Sequence, residues 1–405
     1  MVGWSGRKKF FTILAFTFPV IIGILIFNVY PMVLNTYISF TDKNKFKPNP
    51  DCEFILNDIL VPLCWDVFKE NAPVGLGQPF TVAEPWYKNY QTLIGDLFKP
   101  EALMALLTFG AVLVPFIGAG VLDKRLEKQE SRSIPSIVIW LAAIVLGILL
   151  AALLNIIAAY DTLMRTGDFF VVVFRTIMFV ILRVPLSFAI GLILAIILDN
   201  KYIHGRNFFR VVLFIPWAAS SVAILMALVW QFFFRDQGTI NQMLTVFGIQ
   251  GPVWLQDPIY AFGIVTLVDV WFSYPFFMLA IGGALTSIPT EVYEAAEVDG
   301  ASWSSQLRNI TLPLIRPAIL PAIVLTSITA FQMFGTVWAL TQGGPIQGAG
   351  QPGSTEFVMV YAYKQIFQTS NHGLATAFAV IVFVFLFGAT LYSLRVTRIT
   401  EGAYE

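Results

Sequence analysis

The chain has 405 residues, 57% hydrophobic and 12% charged, and its 25 basic and 25 acidic side chains cancel to a formal net charge of zero. A soluble domain carries about twice that charged share, and no basic excess points to nucleic acid. Two cysteines exclude a disulfide scaffold and a cysteine-rich metal site, and the lack of a Gly-x-x-x-x-Gly-Lys-Ser/Thr loop excludes P-loop binding of ATP.

Apolar runs of about 18 residues or more are long enough to cross a bilayer. Eight are predicted, at 10–38, 101–122, 134–159, 169–198, 209–234, 258–286, 318–341 and 373–395. The expected fold class is therefore an all-α polytopic membrane protein. The first run follows Arg7-Lys8-Lys9. It is too long for a signal peptide and lacks a small-residue cleavage site, so it reads as a retained span. Residues 39–100 form an extracytoplasmic segment rich in Pro and Asn, too small to be a substrate-capturing domain. Its Cys52 and Cys64 either close a small disulfide loop in an oxidising compartment or are two unrelated thiols. Spans two and three, joined by the charged loop Asp123–Arg132, carry no nameable signature and read as a helical pair used for peripheral packing.

Lys and Arg set the orientation. With the N-terminus inside, the inner segments hold Arg7, Lys8, Lys9, then Lys124, Arg125, Lys128 and Arg132, then Lys201, Arg206 and Arg210, then Arg308 and Arg316, and finally Arg395 and Arg398. The outer basic residues are spread over much longer segments, so both termini are expected in the cytoplasm. Span four carries two arginines of its own. Arg175 is near its outer end and is expected to snorkel to the headgroups. Arg183 lies deeper, just before Pro185, and must face the bundle interior and find a partner. It is either a pathway residue or half of an ion pair holding helices together.

Between spans six and seven lies the longest polar run of the second half, Glu294–Pro317 (EAAEVDGASWSSQLRNITLPLIRP). Pro289 suits a first helical turn, Thr290 to Val298 reads as a short helix, and Gly300 stops it by adopting positive φ. Ser302 can cap a second short helix through about Asn309, and Pro313, Pro317 and Pro321 are expected to break up the return into span seven. Small and acidic residues should face outward. A helix resting on the membrane surface would instead carry Lys and Arg on its polar face, where this one has Glu291, Glu294, Glu297 and Asp299.

The spacing Glu294-Ala295-Ala296, three residues, Gly300, nine residues, Ile310, one residue, Leu312-Pro313 resembles the EAA loop of membrane subunits of ATP-binding-cassette importers. Pro185-Leu186, Gly191-Leu192, Arg206, Phe208-Phe209-Arg210, Pro216, Trp230 and Gly238–Asp257 resemble sugar-importer permeases. Thr341–Pro345 (TQGGP) and Val360–Phe367 resemble the loop before the last span in the maltose-importer branch. The resemblance covers spans one and four to eight. It implies a type I importer core of six spans with the helical pair inserted. The chain then divides into residues 1–38, 39–100, the inserted pair at 101–168, and a core at 169–405 with its coupling loop at 287–317.

The resemblance also implies partners: a second permease subunit, two ATPase subunits that carry Mg-ATP, an extracytoplasmic sugar-binding protein, and the lipid bilayer of a bacterial plasma membrane. It implies no catalysis, metal or cofactor in this chain. The coupling contacts would be Glu294, Ala295, Ala296, Asp299, Gly300, Ile310, Leu312 and Pro313. For the cargo, Asp269, Phe272, Ser273 and Phe276 share one face of span six at i, i+3, i+4 and i+7. On span seven Thr326, Thr329 and Met333 share a face, with Gln332 close to it. These residues and Ala330 occupy positions that match the family's maltose site. The family has amides where this chain has Asp269, Ala330 and Met333, so the location carries over and maltose itself does not. Packing remains the other reading for the threonines and phenylalanines, and a salt bridge to Arg183 or to a partner chain for Asp269. Two further readings stand beside sugar import: a glycerol-phosphodiester-like cargo in the same class, and an ion-coupled secondary transporter working alone.

Overall fold

The computed structural model describes residues 6–49, 79–127, 135–164, 167–200, 202–346, 348 and 351–397. Cys52 and Cys64 lie outside these residues. Among the described residues the fold is helical, with two isolated β-bridges, Thr41 to Val82 and Asn44 to Lys47, and eight helical segments apolar and long enough to cross a membrane. The helices group into two compact units: Met1–Gly167 with Ala362–Val384, and Asp168–Tyr361 with Phe385–Glu405.

In the first unit, α1 (Arg7–Ile24) and α2 (Tyr30–Ile38) join through a π-helical turn at Leu25–Val29 into one span. Its apolar residues point all round and almost none is buried within the chain, as expected of a helix solvated by lipid. Just beyond it, Asn89 on α3 (Lys88–Ile94) donates to the carbonyls of Ser39 (2.9 Å) and Thr41 (2.8 Å). Asp42 accepts from the Thr81 amide at 2.8 Å and is ion-paired with Lys47. Burial alone would raise the Asp42 carboxyl, but the Lys47 ammonium and the Thr81 amide hold it below the usual value. The stabilisation is therefore complete above the ordinary carboxylate range and is lost as pH falls through the native value. At neutral pH, Asp42→Asn is expected to speed hydrogen exchange of the Thr81 amide about two- to fivefold, the scale of a partly exposed pair.

The same unit holds α4 (Pro100–Glu127), α5 (Ser136–Leu153) and α6 (Ile156–Met164). Ala119, Ile139 and Ala143 pack against Phe116 and Leu126, and Ser136 donates to Asp123 at 2.7 Å. The third predicted span, 134–159, is shorter than expected. Asn155 takes a left-handed φ of 48° and its side chain accepts from Ala158 at 3.3 Å, ending α5 and capping α6.

The second unit is built on a long seam between α7 (Asp168–Asp199) and α11 (Pro258–Leu285). Phe179, Val184, Ala195 and Leu198 of α7 join Val268, Phe277 and Ile281 of α11 and Ile315 and Ile319 of α14 (Leu312–Phe331) in one core. Gly191 sets the approach. A Cβ there would lie 2.6 Å from Phe277 Cβ and 2.9 Å from both the Met278 nitrogen and the Tyr274 carbonyl. Two of those atoms are backbone and cannot rotate away. Gly191→Ala is therefore expected to lower stability by about 1–3 kcal/mol, read as a fall in the thermal midpoint of the purified protein; an unchanged midpoint would mean the seam can open freely.

Two spans of this unit are interrupted. α8 (Arg206–Ala218) passes through a 3₁₀ turn at Ala219–Val222 into α9 (Ala223–Phe233), and the short α10 (Thr239–Val246) follows. α14 ends at Phe331, and after a short non-helical link the chain resumes as α15 (Gly335–Thr341). The predicted seventh span, 318–341, is thus two pieces. Its N-terminal part is longer than expected: α13 (Trp303–Gln306) runs through a π-turn at Leu307–Thr311 straight into α14. The second short helix does not stop at Asn309, and Pro317 and Pro321 sit inside α14 rather than breaking it. Pro313 falls in the first turn of α14, where it costs nothing. The missing donors of the other two are tolerated in a span packed on neighbouring helices.

Arg175 also differs from expectation. Instead of reaching for headgroups it donates to the carbonyls of Pro352 (2.9 Å) and Gly353. The loop after α15 folds back there: Thr355 bonds to both Thr341 and the Gly344 carbonyl at 2.6 Å. Nearby carbonyls remove any need for snorkelling.

Candidate functional site

A cavity of about 470 Å³ lies within the second unit, within the size range of small-molecule sites. α11 contributes Asp269, Phe272, Ser273 and Phe276, which the helical spacing places on one face. α14 and the link after it contribute Thr326, Thr329 and Met333. Seven of the eight residues expected around the cargo therefore line one space. The eighth does not: Ala330, one turn after Thr326 on α14, is fully buried in the core. Gln332 is exposed and lies off the cavity.

Of the rest of the lining only Arg183 was anticipated, as a pathway residue or half of an ion pair. Arg183 comes from α7, Trp217 from α8, Ser220 from the 3₁₀ turn, Ala223 from α9, and Gly335 and Thr336 from α15. Both helix interruptions therefore border the same cavity. Non-helical backbone at membrane depth is stable where it is enclosed by protein or lines a cavity, which accounts for both breaks occurring here. The Pro216 and Ser220-Ser221 sequence was the available signal for the first break, and Gly335 for the second; Gly335 lets α15 approach Ile224, whose Cγ1 would lie 3.2 Å from a Cβ.

Polar groups converge on this wall. The Arg183 guanidinium forms an ion pair with Asp269, and its Nη1 donates to the Thr326 carbonyl at 3.1 Å. Ser187, one turn further on, shares a 2.6 Å hydrogen bond with Ser273. Thr326 and Thr329 turn their hydroxyls to backbone carbonyls at 2.7 and 3.0 Å. Of the two readings of Arg183, the ion pair is the one observed. It joins α7, α11 and α14 at one point, near the middle of the first two helices.

The second cluster of named residues lies at the other end of α14. α12 (Thr290–Val298) forms where the sequence placed it, although Pro289 is its N-cap rather than its first turn. Gly300 has φ 74°. Its amide bonds to Glu297 at 3.0 Å and that of Ala301 to Ala296 at 2.9 Å, the paired closure of a helix ended by a left-handed residue. No atom stands within 4 Å of where a Gly300 Cβ would be, so the demand for glycine is conformational and not steric. Ser302 caps α13 through the Ser305 amide at 3.4 Å.

Glu294, Ala295, Asp299, Gly300 and Pro313 are exposed, and Ala296, Ile310 and Leu312 half-buried. Val298 and Trp303, which the sequence reading passed over, are 88% and 65% exposed. Both stand at the turn between α12 and α13. Tyr293 bonds to Thr311 at 3.0 Å and so fastens α12 to the helix that leads to Thr326 and Thr329. One helical rod thus joins the exposed loop to the cavity wall.

Comparison with known proteins completes the description. The family profile described as "Binding-protein-dependent transport system inner membrane component" matches residues 187–397, which takes in both clusters apart from Arg183. The trehalose/maltose transport system permease protein MalF of Thermococcus litoralis is 32% identical over 240 residues, covering 59% of this chain and 78% of that protein. The maltose/maltodextrin permease protein MalF of Vibrio vulnificus is 34% identical over 56% of this chain, and the galactooligosaccharides permease protein GanP of Bacillus subtilis 32% identical over 57%. The chain spans 44% and 56% of the length of those two relatives.

Proposed function

The chain belongs to the binding-protein-dependent transport inner membrane components, and from that premise we propose that it is one of two membrane subunits of an ATP-driven importer of sugars or oligosaccharides. The observation that carries the reading is the join between the two clusters. The rod from Ser302 to Phe331 has an exposed loop at one end and a cavity with paired polar and aromatic residues at the other. Relatives named for trehalose, maltose and galactooligosaccharides support a saccharide cargo, as does a wall that offers hydroxyls and a carboxylate beside Trp217, Phe272 and Phe276.

In this reading an extracytoplasmic binding protein delivers the sugar. Two ATPase subunits in the cytoplasm bind the loop at Glu294–Pro313 and supply the Mg-ATP chemistry; this chain supplies none. Closure of the ATPases pulls on α12. The pull passes through Tyr293 and Thr311 into α14 and alters the wall of the cavity. The cavity then opens alternately to either side, because ATP and cargo each bind one conformation better than the other. Both termini lie in the cytoplasm with the loop.

The test is uptake into sealed vesicles. The chain reconstituted with its second permease, ATPase and binding protein should accumulate a labelled oligosaccharide only with ATP inside and binding protein outside. Uptake by this chain alone, driven by a proton gradient, would establish a secondary transporter instead.

A further inference from the structure

Arg183 and Asp269 are the only ionisable side chains lining the cavity among the described residues, and they are paired with each other. Both are buried, with side chains 7% and 1% exposed. The wall is therefore charge-balanced, and neither charge is left to neutralise one brought in by a ligand. The remaining lining is apolar or carries hydroxyls, and Trp217, Phe272 and Phe276 bring no counter-charge. A carboxylate or phosphate entering this space would lose its water and meet Asp269 without a free cation to offset the loss.

The pair is also incomplete. Oδ2 of Asp269 faces the Arg183 Nε, while Oδ1 is buried and accepts a hydrogen bond from no described residue. A buried carboxylate oxygen without a donor is costly, and Asp269 is part of the cavity wall. A hydroxyl arriving there would complete it with a charge-assisted bond.

Resting on the saccharide reading above, we infer that the Arg183–Asp269 couple is a charge filter that restricts cargo to uncharged polyhydroxy ligands, with Asp269 Oδ1 the acceptor for one cargo hydroxyl. The filter acts through balance: removing either partner exposes the other's charge to the cavity. Asp269→Asn leaves Arg183 positive and should admit an anionic sugar. Arg183→Gln leaves Asp269 negative and should exclude one more strongly.

The experiment uses the complete transporter in lipid nanodiscs without its binding protein, so that selectivity belongs to the membrane subunits. Equilibrium binding is measured for maltose, trehalose and galactobiose, each beside its uronate derivative in which one C6 hydroxymethyl is oxidised to carboxylate. The wild type should prefer the neutral form of whichever sugar binds by roughly 30-fold or more, and Asp269→Asn should cut that ratio by at least about tenfold. A neutral sugar that binds with the same ratio in wild type and variant overturns the filter while leaving the saccharide reading intact. Binding of none of the neutral sugars to the wild type overturns both. Should Asp269→Asn fail to assemble, the uncharged double variant Arg183→Gln/Asp269→Asn decides. It should assemble and lose about tenfold in affinity for the neutral sugar, because the ionised acceptor is gone; an unchanged affinity overturns the role of Oδ1.

Discussion

Gly300→Pro is expected to reduce ATP-driven uptake by roughly 5- to 150-fold, the range of a lost coupling free energy, while the protein still inserts and assembles. Proline fixes φ near −65° and has no N–H, whereas Gly300 holds φ 74° and donates to Glu297. Both bonds that close α12 depend on that left-handed turn. Without it α12 leaves at a different angle and its exposed face, Glu294, Ala295 and Val298, no longer stands in register with α13. Alanine is the milder test: a Cβ meets nothing within 4 Å, so only the conformational cost of about 1–2 kcal/mol applies and uptake should fall partway. Asparagine, which tolerates positive φ, should come closest to wild type. Uptake that survives Gly300→Pro would remove this loop from the coupling path.

Asp269→Ala is expected to be the most destabilising single change in the second unit, at about 3–5 kcal/mol. The loss comes from what remains. Arg183, in the middle of α7, would keep one hydrogen bond to Thr326 and lose its counter-ion in a low-dielectric interior. Removing both charges with residues of similar volume, as in Arg183→Met/Asp269→Leu, should restore most of the stability, since replacing a buried pair by apolar packing is often neutral or better. Thermal unfolding of the two singles and the double forms the cycle. A double variant no more stable than the Asp269 single would show that the two charges are not compensating each other.

Local signals were legible in the sequence and contacts through space were not. α12, its stop at Gly300 and the Ser302 cap each depend on residues within one turn, and the structure places all three where the spacing does. The shared face of Asp269, Phe272, Ser273 and Phe276 follows from helical period alone. The partner of Arg183 lies on another span, so the sequence could offer the salt bridge to Asp269 as one reading without choosing it over a cargo or partner-chain role. Counting prolines misled at α14. In isolation Pro317 and Pro321 read as breaks, but in a span packed against α7 and α11 the helix survives them. The converse error occurred at Ala219–Val222 and Gln332–Phe334, where spans drawn by average hydropathy pass over Ser220-Ser221 and Gln332 and hide two interruptions. Hydropathy measures lipid affinity and says nothing of a turn that faces a cavity. Ala330 follows Thr326 by one helical turn, and only the packing around it, invisible in the sequence, puts it in the core instead of on the cavity wall.

In the proposed mechanism the state of the loop at Glu294–Pro313 sets which side of the membrane the cavity faces. The direct measurement is the reactivity of Thr329→Cys, in a Cys52→Ser/Cys64→Ser background, toward a membrane-impermeant maleimide added from outside to the reconstituted transporter. Labelling should be slow without nucleotide, rise about tenfold or more when ATP is trapped on the ATPase subunits, and stay slow in the Gly300→Pro variant under the same conditions. Equal labelling with and without trapped ATP, or an ATP response that persists in Gly300→Pro, would contradict it.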